Sequence, residues 1–284
     1  MIEDSAEGRS LVVTGPWSRE AAACLTAGGA DGLTLNYARG FAESDLDFLD
    51  EWPVRRLDVL DRTLTDLSPI ARLGPGLECL SIQVAAQVEL DLAALPRLRT
   101  LAAWWNAVEG SIDQLDGLEE LTVMEYDEIN LRPLALHSSL SRLTLKSGPF
   151  LETLDGAEDL SALAILYIGG ARELNDVTAP TSIARSLVEL EFESCLEIEA
   201  LQDLSSLRNL RFLGVNDCGR VASLKPVAQL TKLEQLHAWG STRIMDHDLS
   251  PLLHLPLLSE VRMRDRRDYR PRLSTIQEQL ATRP

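Results

Sequence analysis

One apolar phrase returns through most of this chain: two leucine-like residues three positions apart, then a third two positions on. It reads Leu77-Leu80-Ile82, Leu118-Leu121-Val123, Leu140-Leu143-Leu145, Leu187-Leu190-Phe192 and Leu210-Leu213-Val215, with weaker copies at Ala30-Leu33-Leu35 and Leu258-Val261-Met263. The central residues recur every 20 to 25 positions from Leu33 to Val261. A unit this short has too little surface to bury its own leucines, so neighbouring copies must stack and share a core. The last two apolar residues of each phrase stand two apart, the spacing of a strand, so they face one side and their neighbours face the other. Such strands stack in parallel around an apolar spine.

The segments that return to the next phrase carry an apolar pair of their own, as in Leu204-Ser-Ser-Leu207 and Leu224-Lys-Pro-Val227-Ala-Gln-Leu230. Proline recurs at one phase in four of them, Pro69, Pro133, Pro226 and Pro251. A missing N–H costs nothing in the first turn of a helix, so each proline marks a short helical start. The repeats are too short for long helices, and turns with brief 3₁₀ or α pieces are expected opposite the strands.

These features resemble the leucine-rich-repeat family, specifically its short bacterial repeats of the internalin and phosphatase-regulator type; Leu64-Thr-Asp-Leu67-Ser-Pro-Ile70-Ala-Arg-Leu73 shows it most clearly. The resemblance implies an α/β solenoid with a parallel sheet on the concave face and short 3₁₀ or α segments on the convex face. It covers about residues 30–265 and implies about 11 repeats. It also implies an Asn or Cys three residues after the third apolar position, met here at Asn106, Cys195 and Cys218, with Ser241 a plausible substitute. Arg62, Ala85, Tyr126, Gly148 and Ala171 depart from the pattern, so an irregular ladder is expected.

The ends read differently. Leu11–Thr14 suits a strand, and the stretch from Ser18 to Leu25 a capped helix ending near Gly28 and Gly29. The segment from Pro271 to Leu280 suits an amphipathic helix. Three regions are therefore expected: an N-terminal cap over 1–29, the repeats over 30–265 and a C-terminal cap over 266–284, the caps shielding the ends of the core.

With 44 acidic against 27 basic residues, the net charge is −17. Nucleic acid and anionic membrane are therefore disfavoured partners, while a protein or peptide with a basic surface fits. The first residues lack the pattern of a signal peptide, and no apolar run is long enough to span a membrane. Four cysteines in a chain this long do not make a disulfide scaffold, so a reduced, cytoplasmic and bacterial protein, monomeric by itself, is expected.

No phosphate-cradling loop, nucleophile elbow or zinc spacing stands in the sequence. Neither catalysis nor a cofactor or metal is expected, an enzyme carried on the solenoid being the different-class alternative. Asp246-His247-Asp248 has ligand-type residues, but three adjacent polar residues also suit a solvated loop. Cys195 and Cys218 hold equivalent places in neighbouring repeats. Buried structural thiols, a disulfide and a zinc pair are all compatible with that placement.

The same register that turns the leucines inward turns the interleaved residues outward. The expected partner-binding face comprises Arg56, Asp58, Trp104, Trp105, Met124, Glu125, Lys146, Tyr167, Glu189, Glu191, Glu193, Phe212, Asn216, His237 and Trp239. Aromatic residues are only 5% of the chain, which makes their gathering on one face informative. Trp and Tyr bury much area at little rotamer cost and are favoured binding anchors. Glu189, Glu191 and Glu193 project together, an acidic strip that is either solvated or met by cations of a partner. Six strand steps from Trp104 to Trp239 correspond to roughly 29 Å, the footprint of a protein or extended peptide rather than a metabolite. The expected function is non-catalytic protein binding, as a scaffold or regulatory adaptor, or as an inhibitor of a basic toxin or nuclease.

Overall fold

The computed structural model describes residues 1–6, 8–85, 88–178 and 182–283, and it divides into two compact units, Met1–Met124 and Glu125–Pro284. The first unit contains β1 (Ile2–Ser5), β2 (Gly8–Val13), β3 (Gly32–Asn36), β4 (Arg56–Asp61), β5 (Cys79–Val84), β6 (Thr100–Trp104) and β7 (Glu120–Met124), hydrogen-bonded in chain order. β1 and β2 pair antiparallel, and every later neighbour is parallel. Leu11, Leu33, Leu57, Leu80, Leu101 and Leu121 stand in one register row, and all are buried.

The second unit repeats the plan with β8 (Arg142–Lys146), β9 (Ile165–Gly169), β10 (Glu189–Glu193) and β11 (Phe212–Asn216). It continues with β12 (Arg220–Val221), β13 (Gln235–Ala238), β14 (Arg243–Ile244) and β15 (Glu260–Met263). The main sheet runs β8-β9-β10-β11-β13-β15, while β12 and β14 make a separate two-stranded ribbon. Leu143, Leu166, Leu190, Leu213, Leu236 and Val261 form the register row, each flanked by residues that turn outward. Both units thus carry the parallel sheet with short 3₁₀ return segments that the repeat predicts. Pro69, Pro133, Pro226 and Pro251 each sit in the first turn of a 3₁₀ segment, where the absent N–H leaves nothing unsatisfied.

Within the second unit the turn after each strand has a fixed form. Glu125, Ser147, Ser194 and Asp217 take positive φ at one phase, and Gly170 and Gly240 occupy the same phase. At five of these six positions the amide, or that of the next residue, donates to a carbonyl of the following repeat: Tyr126 to Ser147, Ser147 to Gly169, Gly170 to Glu193, Ser194 to Asn216 and Asp217 to Trp239, at 2.8–3.1 Å. Left-handed backbone costs a residue with a side chain about 1 kcal/mol or more, and the inter-repeat bonds offset that cost.

One residue further on lies the inward position expected of Asn or Cys. The Cys195 thiol reaches Ile168 O at 3.5 Å and the Cys218 thiol reaches Phe192 O at 3.5 Å. In the next repeat the place belongs to Thr242, not Ser241: Thr242 Oγ1 donates to Val215 O at 2.5 Å and accepts from Cys218 N at 3.0 Å, while Ser241 is exposed. An extra residue in this turn shifts the phase by one. Cys195 and Cys218 are free thiols. The adjoining Cys195 thiol and burial both push the Cys218 thiol up, which keeps it neutral and inert. Gly148 and Ala171 fill the equivalent place with no side chain able to hydrogen-bond, and Tyr126, buried there, donates from its hydroxyl to Asn130 O at 2.7 Å.

Two helices form near the ends. α1 (Arg19–Thr26) is capped by Ser18, whose hydroxyl accepts from Ala21 N at 3.2 Å, and the chain leaves it through Gly28 at φ +67°. Near the other end, the helix Leu273–Ala281 buries Leu273, Ile276 and Leu280. β1 was not expected, because all four of its residues are exposed and carry no apolar alternation; backbone pairing to β2 holds it, with Glu3 paired to Arg39 and Asp4 to Arg9.

The register predicts a sharp contrast. Leu213→Ala, at a fully buried position, should cost about 2–5 kcal/mol in urea unfolding. Leu136→Ala, at a position 73% exposed, should stay within about 0.5 kcal/mol of the parent.

Candidate protein-binding face

Outward residues of the first unit are largely engaged. Arg56 makes a two-pronged pair with Asp31, at 3.0 Å and 2.8 Å, and only 16% of its side chain is accessible. Asp58 is exposed, and Met124 is half-buried at the end of β7. Trp104 is half-buried, and its indole N–H is buried without an acceptor among the described residues. Trp105 is not on the face. The chain turns from β6 into the short α2 (Trp105–Val108), which carries the Trp105 ring into the core at 1% exposure. Asn106 consequently rides half-buried in α2 rather than in the ladder position.

The first unit also holds an aromatic stack that the repeat register does not reveal. The Trp17 ring lies 4.4 Å from that of Phe48 and 5.0 Å from that of Trp52, and Trp17 N donates to Glu43 Oε1 at 2.5 Å. These residues stand outside the strands, and Trp17 is far from the other two in sequence, so only their aromatic character could have signalled them. The rings pack on each other, which makes the stack structural.

In the second unit the outward residues assemble. Lys146, Glu189 and Glu193 are exposed at strand ends, and Glu125 is exposed in its left-handed turn. Glu193 accepts a short hydrogen bond from the Tyr167 hydroxyl across β9 and β10. Partial burial, that bond and the neighbouring Glu193 and Glu191 charges push the Tyr167 phenol up, so it stays a donor. Glu191 lies over Gly214, where a Cβ would come within 2.7 Å of its Cγ, and accepts from Asn216 Nδ2 at 2.8 Å. Asn216 Oδ1 in turn accepts from Trp239 N at 3.0 Å. One amide therefore ties β10 to the residue following β13.

The Phe212 and His237 rings meet edge-to-face, with centroids 4.9 Å apart. His237 Nε2 lies 3.2 Å from Glu260 Oε1, and the same oxygen contacts Arg262 Nε. Together these strands border an open groove of about 540 Å³. Glu191, Glu193 and Asp217 stand on one side, Arg262 and Met263 on the other, and Trp239 lies along it with 60% of its surface exposed. Thus Glu191, Glu193, Asn216, His237 and Trp239 come together as the register predicts. Asp217, Arg262 and Met263, outside the expected binding set, join them; the alternation in Val261-Arg262-Met263 marks Arg262 as outward.

Asp246-His247-Asp248 forms a turn. Asp246 Oδ1 accepts from Asp248 N at 3.1 Å, Asp248 Oδ1 accepts from Ser250 N at 2.9 Å, and His247 sits 3.4 Å from Asp268. Backbone capping accounts for those carboxylates.

No protein-family model matches the chain. Among solved structures, a leucine-rich-repeat protein from Leptospira interrogans superposes with a TM-score of 0.53 at 17% identity, over 90% of this chain and 71% of that one. An internalin from Listeria monocytogenes superposes with a TM-score of 0.51 at 19% identity, over 76% of this chain and 64% of that one. The fold is the leucine-rich repeat. The chain spans just under two thirds of the internalin's length, and at these identities the likeness speaks for the fold alone. Among the described residues no helix is long and apolar enough to cross a membrane.

Two consequences of this geometry are measurable. Gly214→Val should displace Glu191 and break its bond to Asn216, lowering stability by about 1–3 kcal/mol in urea unfolding. For the Arg56 pair, the guanidinium hydrogen bond holds the Asp31 carboxyl below its ordinary value. Its stabilisation is therefore fully present above about pH 4 and lost as pH falls through the lower folded value. Asp31→Asn should cost stability at pH 7, and the gap to the parent should narrow in acid unfolding below about pH 4.

Proposed function

We propose that this chain is a non-catalytic protein-binding module that docks its partner on the exposed strand face of the second unit. Residues 1–29 and 266–284 act as its caps. The observation that carries the reading is Trp239: a tryptophan 60% exposed, on a backbone pinned by Asn216, beside an open groove. An exposed indole on a fixed backbone beside a cavity gains much buried area on docking. Tyr167, Phe212 and His237 extend the aromatic face along neighbouring strands, and Glu189, Glu191 and Glu193 set its electrostatic character.

A net charge of −17 with an acidic groove wall suits a partner carrying basic residues, and such attraction speeds association at low salt. The biological role is a cytoplasmic bacterial scaffold or regulatory adaptor. An inhibitor of a basic toxin or nuclease uses the same face and the same charge; protection of growth against such a toxin separates the two roles.

Trp239→Ala should leave the urea midpoint unchanged, because the indole is exposed. It should weaken capture of the native-host partner by at least tenfold, about 1.4 kcal/mol, in surface plasmon resonance. Affinity equal to the parent's would place the docking surface elsewhere.

A further inference from the structure

The chain's charge changes sign near its end. Residues 262–272 hold six arginines and two aspartates, an island of positive charge in a chain of net −17. Much of it is spent internally: Arg272 pairs with Asp265 at 3.0 Å, and Arg266 and Arg270 donate to backbone carbonyls. Arg262 and Arg264 differ. Val261 and Met263 are buried, so strand alternation places both arginines on the outward face of β15 and its continuation. Arg262 lines the groove, and although it contacts Glu260 through Nε, 66% of its side chain stays accessible. Arg264 is exposed one step further along.

The far wall of the same groove is acidic. Glu191 and Glu193 stand on β10, joined by Asp217 after β11, and each carboxylate is already oriented by a bond to Asn216, Tyr167 or Ser241 N. Between the two walls lies Trp239, which carries no charge, while Met263 is buried beside Arg262 on β15. Three strand steps separate β10 from β15, about 14 Å at 4.8 Å per step. An extended chain covers that distance in about four residues.

We propose that the groove binds an extended segment of the partner that carries a basic and an acidic side chain about four residues apart, with an apolar residue between them. The basic side chain meets Glu191 and Glu193, the acidic one meets Arg262 and Arg264, and the apolar one packs on Trp239. A uniformly basic segment gains on the first wall and is repelled at the second, so the groove selects for polarity and fixes direction. This rests on the docking reading above and specifies its ligand.

A random dodecapeptide library displayed on phage, panned against the full chain, tests it. The pool should be enriched in Lys or Arg and Asp or Glu about four positions apart around an apolar residue. For the tightest such peptide, amidated at its C-terminus, the peptide Asp→Asn change and Arg262→Gln should each weaken binding at least tenfold yet be far from additive together. Peptide Lys→Gln and Glu193→Gln should behave likewise. Arg264→Gln serves as a second variant on the basic wall, and matching urea midpoints confirm that the variants fold. A pool lacking the paired charges, or additive effects in both cycles, overturns the two-walled groove. If those binders still lose affinity in Trp239→Ala, the docking reading stands without it. Binders indifferent to Trp239→Ala overturn both.

Discussion

A single repeat of this chain satisfies neither its backbone nor its leucines. The strand amides have no partner within the repeat, and the turn amides after each strand point to the next one. In the second unit these needs are met together, by parallel strand bonds and by the run from Tyr126–Ser147 to Asp217–Trp239. The apolar rows from Leu143 to Val261 close in the same step. Stability is therefore carried between neighbours, and any residue that changes the register affects several repeats. This is why left-handed backbone is tolerated at Glu125, Ser147, Ser194 and Asp217: the next repeat over-determines it.

That dependence made the architecture legible. The leucine phrase states both period and facing, so the strands, the buried rows and the proline-started 3₁₀ segments follow from it. Where the phrase stops, legibility stops. Trp105 follows Trp104, and strand alternation alone does not say that the chain leaves the sheet between them and carries one ring inward. Thr242 rather than Ser241 takes the ladder place because the turn is one residue longer, a local insertion invisible to a fixed period. β1 has no apolar pattern at all, since its pairing is a property of the backbone. The stack of Trp17, Phe48 and Trp52 belongs to no repeat.

The face itself was half legible. Facing could be read for Glu191, Asn216 and Trp239, but their connection could not. It depends on Gly214, whose missing side chain leaves the space through which Glu191 reaches Asn216. A glycine in a strand weakens it slightly, and here the space it leaves is filled by the Glu191 side chain. Arg262 was readable in principle from the alternation around it, yet a net charge of −17 directs attention to the carboxylates and away from a late cluster of arginines.

Net charge and local charge act at different ranges. At physiological salt, exposed charges are screened beyond about 8 Å, so the acidic excess of the whole chain governs encounter more than the bound complex. Inside the groove the acidic wall stands on hydrogen-bonded strands, and its carboxylates are held by bonds to Asn216, Tyr167 and Ser241 N. A docked segment pays little to order them, which lets modest individual contacts add to useful affinity. Alignment then depends on which end of the segment is basic, a quantity the overall charge does not contain. The leucine spine thus supplies more than stability: by holding β10 and β15 three strand steps apart, it fixes the separation of Glu191 and Glu193 from Arg262.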